Sequence, residues 1–596
     1  MRSHFPAVNL FVMGHVTDGR IDLGRGERAL RRLIDRIPFF PGRPVETWGA
    51  PSGRAGAAWV THGPDQTGGV RYAAVEASRL ALFSGRPIRW RDENDAEGRG
   101  TIDAAAYLAP SEEWGELDGR FVVIRFDDGS GRLDLASSPL GAYPVYETTV
   151  DGERWISNNA ELLRDLRGSR ELDPAVLAAV LGGGWSLDGH PVWSGVRRLE
   201  STALPIETIV PLVGAGFDAS RAAALLVASV RALADWPGRP NVVPITGGRD
   251  SRLVLGTALA AGIEFETTTG GDEGSADLVL GRRLAEAGGV RHSPLPHDPH
   301  GSVWDDWRLA AEVVDLTSSG TASLADAAGF PLGPRPGPLV LWHSGQGGEI
   351  ARSYYGVGRG DRSALARKLT RAFLGRRPGR ADVLSEQGRE LVHGQIAAWV
   401  SERLEAGAAP ADVPDLFYLE RRMGTWAGPS HGCVEYIRDT TSPFWSHRLL
   451  PDLLGAPAPQ RARHLFHLRV LERLAPQLVE IPFEDAQPWP ARRTALALRT
   501  ARTRTLLRKA TAEARRRLTR ARAQPSPSGD PAPFARILAE IHHTVLDQPE
   551  HPAWPLLDRP RVERLLRSDV VELDAMSRYY AWRLATVFGA MHAASR

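Results

Sequence analysis

The chain has 596 residues, which is too long for one ordinary hydrophobic core and predicts roughly two to four domains. Hydrophobic residues make up 42% and charged residues 24%, so the composition is that of a globular protein and excludes a disordered or fibrous one. The formal net charge of +2 argues against binding polyanions by overall charge. The single cysteine, Cys433, excludes an intrachain disulfide and a zinc site built from several cysteines.

Membrane and secretion signals are also missing from the sequence. The apolar run near the start is short and lacks the cleavage pattern of a signal peptide. No window approaches the ~18 consecutive apolar residues of a membrane span. The sequence therefore predicts a cytoplasmic protein with no membrane partner.

Residues 1–170 are predicted to form a β-rich domain. A strand is expected at Asn9–Thr17, and paired strands are expected around two Asp-Gly turns, which are strong hairpin signals. A short helix at Ala160–Leu166 ends this part of the chain. The paired strands are predicted at Phe121–Phe126, Arg132–Ala136, Pro144–Val150 and Arg154–Ser157.

Strands and helices alternate between residues 238 and 350, which predicts a parallel sheet covered by helices. Polar turns at Thr246–Ser251, Thr269–Asp272 and Ser344–Glu349 each follow a predicted strand. Ligands of such sheets bind at the carboxyl ends of the strands, so these turns are expected to share one rim. The predicted strands are Val242–Ile245, Ile263–Thr268, Val290–Leu295 and Leu339–His343, and the predicted helices are Ser251–Ala261 and Ser275–Ala287.

The remainder of the chain is predicted to be helical. Residues 360–490 complete a domain that spans 205–490, residues 491–533 form a basic helix and a linker, and residues 534–596 form a small terminal segment. Arg492–Arg522 contains one acid, Glu513, and could bind nucleic acid or an acidic peptide. It lacks aromatic residues for base stacking, so a solvated basic helix is the preferred interpretation.

The turn Thr246–Ser251 is the strongest candidate site, because an apolar strand precedes it and an apolar helix follows it. Backbone N–H groups at the start of that helix would face a phosphate. Gly247 and Gly248 would let the backbone close on pyrophosphate, while the hydroxyls of Thr246 and Ser251 would donate to its oxygens. Asp250 would bind Mg²⁺. The competing interpretation is a plain glycine turn in which Asp250 or Ser251 caps the helix.

The pattern Thr-Gly-Gly-x-Asp-Ser resembles the pyrophosphate loop of the ATP-pyrophosphatase group, which includes the asparagine synthetases. Further segments resemble the same family, in consistent order, over about residues 5–490. They are Leu117–Phe121, Pro139–Tyr146, Trp193–Leu199, Ser344–Glu349 and Ser442–Leu450. The resemblance implies an α/β protein with a β-rich, Ntn-type glutamine amidotransferase-like domain, an ATP-pyrophosphatase domain and helical C-terminal additions.

The resemblance also implies roles for individual residues. Glu349 would be the second Mg²⁺ ligand beside Asp250, with ATP as the nucleotide. Gln346 stands where many members have a glutamate that orients the reaction centre. Gly347 of the same loop and Gly270, where the family's backbone meets adenine and ribose, would contact the nucleotide.

Two acids each have a functional and a structural interpretation. Glu420 is the candidate general base that would deprotonate the amine, but an exposed helical glutamate paired with a neighbouring arginine is the competing interpretation. Asp277 matches the acid that opens the helix after the second strand, and a first-turn acid that favours a helix N-terminus explains it equally well.

Departures from the family pattern are informative. The family's glutaminase uses a cysteine exposed at the N-terminus, whereas Arg2 follows Met1 here and Cys433 is distant in sequence. The N-terminal domain is therefore predicted to have a glutaminase fold without glutaminase activity. The family also has a lysine after the synthetase core that stabilises the charge developing at the phosphate. No lysine lies near Ile481–Trp489 here, and Arg492 or Arg493 is the candidate substitute.

The expected function is ATP-dependent formation of an amide bond. A small-molecule or peptide carboxylate would be adenylated, with release of pyrophosphate, and an amine or ammonia would then displace AMP. The missing cysteine favours the subgroup of β-lactam synthetases and lasso-peptide cyclases over a genuine asparagine synthase, and a homodimer is compatible with either. A non-catalytic ATP-binding relative is a competing interpretation. A sulfur transferase that modifies tRNA is disfavoured by the single cysteine.

Overall fold

A computed structural model describes most of the chain. The described residues are 9–37, 42–61, 69–91, 97–199, 205–237, 239–271, 273–295, 306–324, 340–375, 382–436, 438–483, 489–492, 531–570 and 573–591. The predicted basic segment therefore lies almost entirely outside the described residues, as does most of the predicted linker.

Residues 9–199 contain two antiparallel sheets. The first has the strand order β11-β9-β10-β1-β3-β2 and the second the order β4-β5-β7-β8, with β6 paired to β5. The strands are β1 (Leu10–His15), β2 (Glu46–Gly49), β3 (Ala55–Val60), β4 (Ala73–Val75), β5 (Arg79–Trp90), β6 (Arg99–Gly100), β7 (Glu116–Asp127), β8 (Arg132–Ser137), β9 (Tyr146–Val150), β10 (Glu153–Ser157) and β11 (Arg197–Arg198). The predicted strands and hairpins of this region are confirmed.

The two sheets share a buried apolar layer, to which Phe11 and Met13 of β1 and Leu82 and Ile124 of the second sheet belong. The opposite face of the first sheet packs against the helices Leu23–Arg36 and Ala160–Arg167. The far face of the second sheet packs against the helix Ala219–Ala234, which belongs to the following unit. Coverage on both faces explains why the long strands β5 and β7 are buried along nearly their whole length.

The second unit is built on a five-stranded sheet with the order β14-β13-β12-β15-β16, and every pair in it is parallel. Its strands are β12 (Asn241–Pro244), β13 (Phe265–Thr269), β14 (His292–Pro294), β15 (Leu341–His343) and β16 (Asp439–Thr441). The predicted parallel sheet with alternating helices is confirmed. Strand β16 at one edge was not predicted, since it lies in a region that was predicted to be helical.

The remaining described residues are mainly helical, as predicted. Tyr418–Ala427 is a π-helix, a form that is frequent at functional sites. Within the described part of the chain, no helix is long and apolar enough to cross a membrane. The other α-helices among the described residues are Pro174–Gly183, Ile206–Ile209, Asp250–Ala261, Ala276–Gly288, Trp307–Ser318, Arg362–Phe373, Glu386–Glu405, Val413–Phe417, Gly428–Glu435, Leu450–Gly455, Ala458–Arg461, Leu465–Leu474, Pro476–Val479, Pro531–Leu546, Arg559–Leu566 and Ala575–Gly589.

A buried ionic network joins the antiparallel sheets to the edge of the parallel sheet. Arg86 of β5 donates to Asp439 of β16 and to Glu435. Arg120 of β7 pairs with the other oxygen of Glu435, and Arg239 pairs with Asp439. All five side chains are at most 5% exposed, so the three guanidiniums and two carboxylates pair with one another out of contact with water. This network fixes the edge strand that pairs with β15.

Candidate functional site

Three polar turns meet at one rim of the parallel sheet. Strand β12 pairs with β13 on one side and with β15 on the other, all in the same direction. The turns Thr246–Ser251 and Ser344–Glu349 and the residue Gly270 follow the carboxyl ends of these three strands. The expected common rim is therefore confirmed, which is the position where ligands bind in sheets of this kind.

The turn after β12 is held in shape by its own side chains. The hydroxyl of Ser251 accepts a hydrogen bond from the N–H of Thr246 (3.1 Å) and lies 3.0 Å from the Thr246 hydroxyl. The Thr246 hydroxyl accepts from the N–H of Gly248 (3.1 Å). Both hydroxyls therefore shape the loop in this structure, and phosphate binding by them stays a prediction.

Asp277 extends this loop scaffold from the neighbouring helix. Its carboxylate accepts a hydrogen bond from the N–H of Gly247 at 2.9 Å, while Ser275 caps the helix Ala276–Gly288. A side chain on Gly247 would meet Leu280, since an added Cβ would lie 2.5 Å from its Cδ1 atom. Gly247 thus lets the loop pack closely on this helix, and a larger residue would have to displace the end of the Leu280 side chain.

The helix Asp250–Ala261 begins at this turn without a side-chain cap. Arg249 occupies the N-cap position and makes no capping hydrogen bond, whereas Asp or Ser caps most other long helices of the second unit. A helix start without a cap leaves backbone N–H groups and the positive end of the helix dipole for a ligand. This supports an anion as the ligand at the turn.

Asp250 contacts two basic side chains from other parts of the chain. One carboxylate oxygen accepts from Nε2 of His467 at 2.8 Å, and the other contacts Nη2 of Arg352 at 2.8 Å. The same Nη2 lies 3.2 Å from Oε1 of Glu349, whose second oxygen accepts from the N–H of Gly347 at 3.3 Å. The two acids predicted from the sequence are therefore brought together, with Arg352 between them.

Close backbone approach brings the two loops together. A Cβ added at Gly348 would lie 2.5 Å from Oδ1 of Asp250, and one added at Gly345 would lie 2.8 Å from the backbone N of Ser251. Neither space can accept a side chain without moving the neighbouring loop. The glycines of the second loop therefore allow the carboxylates of Asp250 and Glu349 to share one partner.

Positive charges surround Asp250. Burial raises its pKa, but the hydrogen bond from His467 and the charges of Arg352 and Arg249 outweigh burial, so the pKa lies below its ordinary value. Asp250 is therefore ionised at neutral pH. Glu349 is also held by Tyr418, whose pKa rises well above its usual value because of burial and the Glu349 charge.

Arg252 holds the turn Thr246–Ser251 against a later segment of the chain. It is fully buried and donates to the backbone carbonyls of Leu478 (3.2 Å) and Ile481 (2.6 Å), and its guanidinium stacks 4.5 Å from the ring centre of Phe483. Burial and the nearby charge of Arg249 lower the pKa of Arg252 to about 10. The segment that contains Leu478, Ile481 and Phe483 is thereby held against the turn Thr246–Ser251.

The observed geometry differs from the predicted Mg²⁺ site, because an arginine lies between the two carboxylates. Two carboxylates that point at one atom suit a divalent cation, but Nη2 of Arg352 already occupies that point. Among the described residues no group of three or more His, Cys, Asp or Glu side chains is arranged to hold a metal ion. With Arg352 in this position the residues do not fit a metal ion between Asp250 and Glu349.

Gln346 lies in the second loop, Ser344–Glu349, and is partly exposed. Its backbone N–H donates to Ser344 Oγ (3.1 Å) and its carbonyl accepts from Ser442 Oγ (2.7 Å). Its side-chain Oε1 is buried and has no hydrogen-bond partner among the described residues. An acceptor of this kind suits an N–H donor of a ligand.

Glu420 pairs with an arginine, as in the structural interpretation, but it is only 18% exposed and its partner is the distant Arg403. Its carboxylate accepts from Nε1 of Trp399 at 3.0 Å and forms a close ion pair with Arg403. Glu420 also lines a cavity of about 290 Å³ between the turn around Pro139 and the π-helix. Tyr418, which faces Glu349, lies two positions earlier, and residues so spaced on a helix point to different faces. A catalytic role for Glu420 stays a prediction.

The other predicted residues have less distinctive surroundings. Gly270 is exposed at the end of β13, next to the turn after β12, and Gly347 has a positive φ of 98°. Arg492, one of the two candidates for the missing lysine, pairs with Glu472 (3.0 Å) and Glu480 (3.2 Å). Arg493, the other candidate, lies outside the described residues.

Sequence reasoning missed Arg352 and His467. Arg352 lies three residues after Glu349, a spacing at which opposite charges meet on a helical turn, so its pairing with Glu349 could have been found. Nothing in the local pattern connects His467 with Asp250, since 217 positions separate them.

No protein-family model matches the chain, and no curated protein matches its sequence. The functional interpretation therefore depends on the residues of the site and on their geometry.

Proposed function

We propose that the protein is an ATP-dependent ligase similar to the asparagine synthetases, which adenylates a carboxylate and joins it to an amine. In this proposal the antiparallel sheets form an Ntn-type amidotransferase-like domain without glutaminase activity. The parallel sheet forms the ATP-pyrophosphatase domain. One observation carries the proposal: an uncapped helix start after β12 faces the acidic loop after β15 at the carboxyl edge of the sheet.

The reaction would proceed in two displacements. An oxygen of the substrate carboxylate bonds to the α-phosphorus of ATP, and the bond to pyrophosphate breaks. An amine nitrogen then bonds to the acyl carbon, AMP leaves, and the nitrogen loses a proton. The N–H groups at the start of the helix Asp250–Ala261 would bind pyrophosphate as its charge develops. Oε1 of Gln346 would accept a hydrogen bond from the incoming amine and orient it.

Nucleotide binding and ATP–pyrophosphate exchange test the proposal on the full chain. A fluorescent ATP analogue should bind, and exchange should appear with a subset of a panel of amino acids and short peptides. Asp250→Asn keeps the size of the side chain but removes its charge, and it should lower exchange by about 10²-fold or more. Glu266→Gln is the matched control, because Glu266 is exposed on β13 and pairs only with Arg291 in the described contacts.

A non-catalytic ATP-binding protein is the second candidate. The observation that favours it is the engagement of both loop carboxylates, and of Glu420, by arginines of the chain itself. Nucleotide binding without exchange on any carboxylate would support this candidate. Absence of nucleotide binding in the wild-type chain would refute both.

A further inference from the structure

Arg352 is the central residue of the acidic site at the rim of the sheet. A single nitrogen of its guanidinium reaches Oδ2 of Asp250 at 2.8 Å and Oε1 of Glu349 at 3.2 Å. The resemblance of the two loops to those of the asparagine synthetases implies a divalent cation between these two carboxylates. The chain therefore supplies its own positive charge at the point where the two acids converge.

The backbone around Arg352 holds the residue in place. It ends a short 3-10 turn, Gly348–Arg352, that is bounded by the left-handed residues Gly347 (φ 98°) and Ser353 (φ 46°). A left-handed serine is strained and persists only where its surroundings hold it. The Ser353 hydroxyl donates to Asp415 at 2.8 Å and the residue is buried, which supplies that restraint.

The charge balance at this site is consistent with a permanent cation. Asp250 and Glu349 would repel each other if no positive group lay between them, and both are at most 22% exposed. Arg352 compensates this charge and is itself only 21% exposed. Its Nε–H is buried and has no hydrogen-bond partner among the described residues, so one directed donor remains for a further acceptor.

We infer that Arg352 is the resident cation of this site and takes the place of a divalent metal ion between Asp250 and Glu349. Nucleotide phosphate then binds without a metal ion coordinated by these two carboxylates, and the free donor of Arg352 faces a phosphate oxygen. The functional part of this inference rests on the proposed nucleotide site. The charge arrangement itself does not depend on nucleotide, so the two can be tested separately.

Direct metal binding to the nucleotide-free full chain is the first test, measured with Mn²⁺ by electron paramagnetic resonance. The wild-type chain should bind no Mn²⁺ in a manner that depends on Asp250. Arg352→Met leaves two adjacent carboxylates and should bind Mn²⁺ at least about tenfold more tightly than wild type. Asp250→Asn in the Arg352→Met background should abolish that gain. Arg367→Met, which removes an exposed arginine from the helix Arg362–Phe373, should behave like wild type.

Nucleotide affinity with and without metal is the second test. A fluorescent ATP analogue should bind the wild-type chain with an affinity that changes less than about threefold between excess EDTA and excess Mg²⁺. The Arg352→Met variant should lose at least about tenfold in EDTA and recover with Mg²⁺. Thermal melting of each variant establishes that it is folded.

The outcomes separate the inference from the proposed function. Tight Mn²⁺ binding by wild type that Asp250→Asn removes would overturn the inference, whatever happens with ATP. Loss of wild-type nucleotide binding in EDTA would also overturn it. If the Mn²⁺ results are as expected but no variant binds nucleotide, Arg352 is the resident cation and the proposed ATP site is wrong. If Arg352→Met does not fold, the wild-type and Asp250→Asn measurements still decide the question.

Discussion

Asp439→Asn should cause a large loss of stability in this protein. Asp439 opens β16, has no exposed surface, and accepts hydrogen bonds from both Arg86 and Arg239. Burial raises the pKa of Asp439, but the charges and hydrogen bonds of the two arginines outweigh it and leave the pKa below its ordinary value. Asp439 is therefore a carboxylate that two buried guanidiniums share.

The magnitude follows from the burial of all three partners. Asparagine keeps the size of the side chain but removes the negative charge. The guanidiniums of Arg86 and Arg239, which are at most 2% exposed, then lose the carboxylate that they share. Breaking a buried ion pair from one side costs about 3–5 kcal/mol of the free energy of unfolding. At ~2–4 °C per kcal/mol for a unit of 150–250 residues, the melting temperature should fall by an amount on the order of 10 °C.

Circular dichroism melts and urea denaturation of the full chain would measure this loss. Glu266→Gln removes an equally negative side chain, but Glu266 is 51% exposed and its partner Arg291 is 75% exposed. That control should change the free energy of unfolding by less than about 1 kcal/mol, as exposed ion pairs do. If Asp439→Asn also stays within about 1 kcal/mol of wild type, the argument from buried charge is wrong.

Three further predictions concern His447, Gly348 and Glu420. His447 of the second unit contacts two carboxylates of β7, Glu116 at 2.6 Å and Asp118 at 3.1 Å. Burial lowers the pKa of His447, but hydrogen bonds to Asp118 and Glu116 raise it to about 10, so its stabilisation is complete below pH ~6.5 and is lost as the pH rises towards 10. The melting temperature should fall over that range more steeply in wild type than in His447→Gln, and equal slopes would contradict this. Gly348→Ala should weaken ATP-analogue binding by at least about tenfold, because the new Cβ would lie 2.5 Å from Asp250, whereas Gly394→Ala, with open space around it, should leave binding unchanged and raise stability by up to about 1 kcal/mol. Glu420→Gln should reduce the free energy of unfolding by about 1–3 kcal/mol, since its arginine and tryptophan partners are partly buried. If Glu420 only holds these partners, ATP–pyrophosphate exchange should be unaffected, and a loss of exchange without loss of stability would instead assign it a role at the site.

Local sequence patterns were sufficient for most elements of both units. Alternating apolar runs and Asp-Gly turns predicted the strands β7 to β10, and the boundaries differ from the observed ones by a few residues. The strand, turn and helix around Thr246–Ser251 were likewise predicted, because each has its own periodicity and its own turn residues. The edge strand β16 shows the limit, since it follows a mainly helical region and carries little strand pattern of its own.

The common rim was also predictable, because parallel strands place their carboxyl ends on one edge. The sequence thus determined which residues lie near one another at the rim: the turn with Asp250, the turn with Glu349, and Gly270. It could not determine what each side chain contacts. Thr246 and Ser251, for example, bond to each other and to the loop backbone.

Only the tertiary structure decided the charge arrangement of the site. His467 reaches Asp250 across 217 positions, and the edge of the sheet is fixed by Arg86, which lies 353 positions from Asp439. Arg352 is close to Glu349 in sequence, yet its contact with Asp250 requires the glycine-lined approach of two separate loops. The physical reason is that periodicity and turn chemistry act over a few neighbouring residues, whereas charge compensation acts through space and depends on how the whole chain packs.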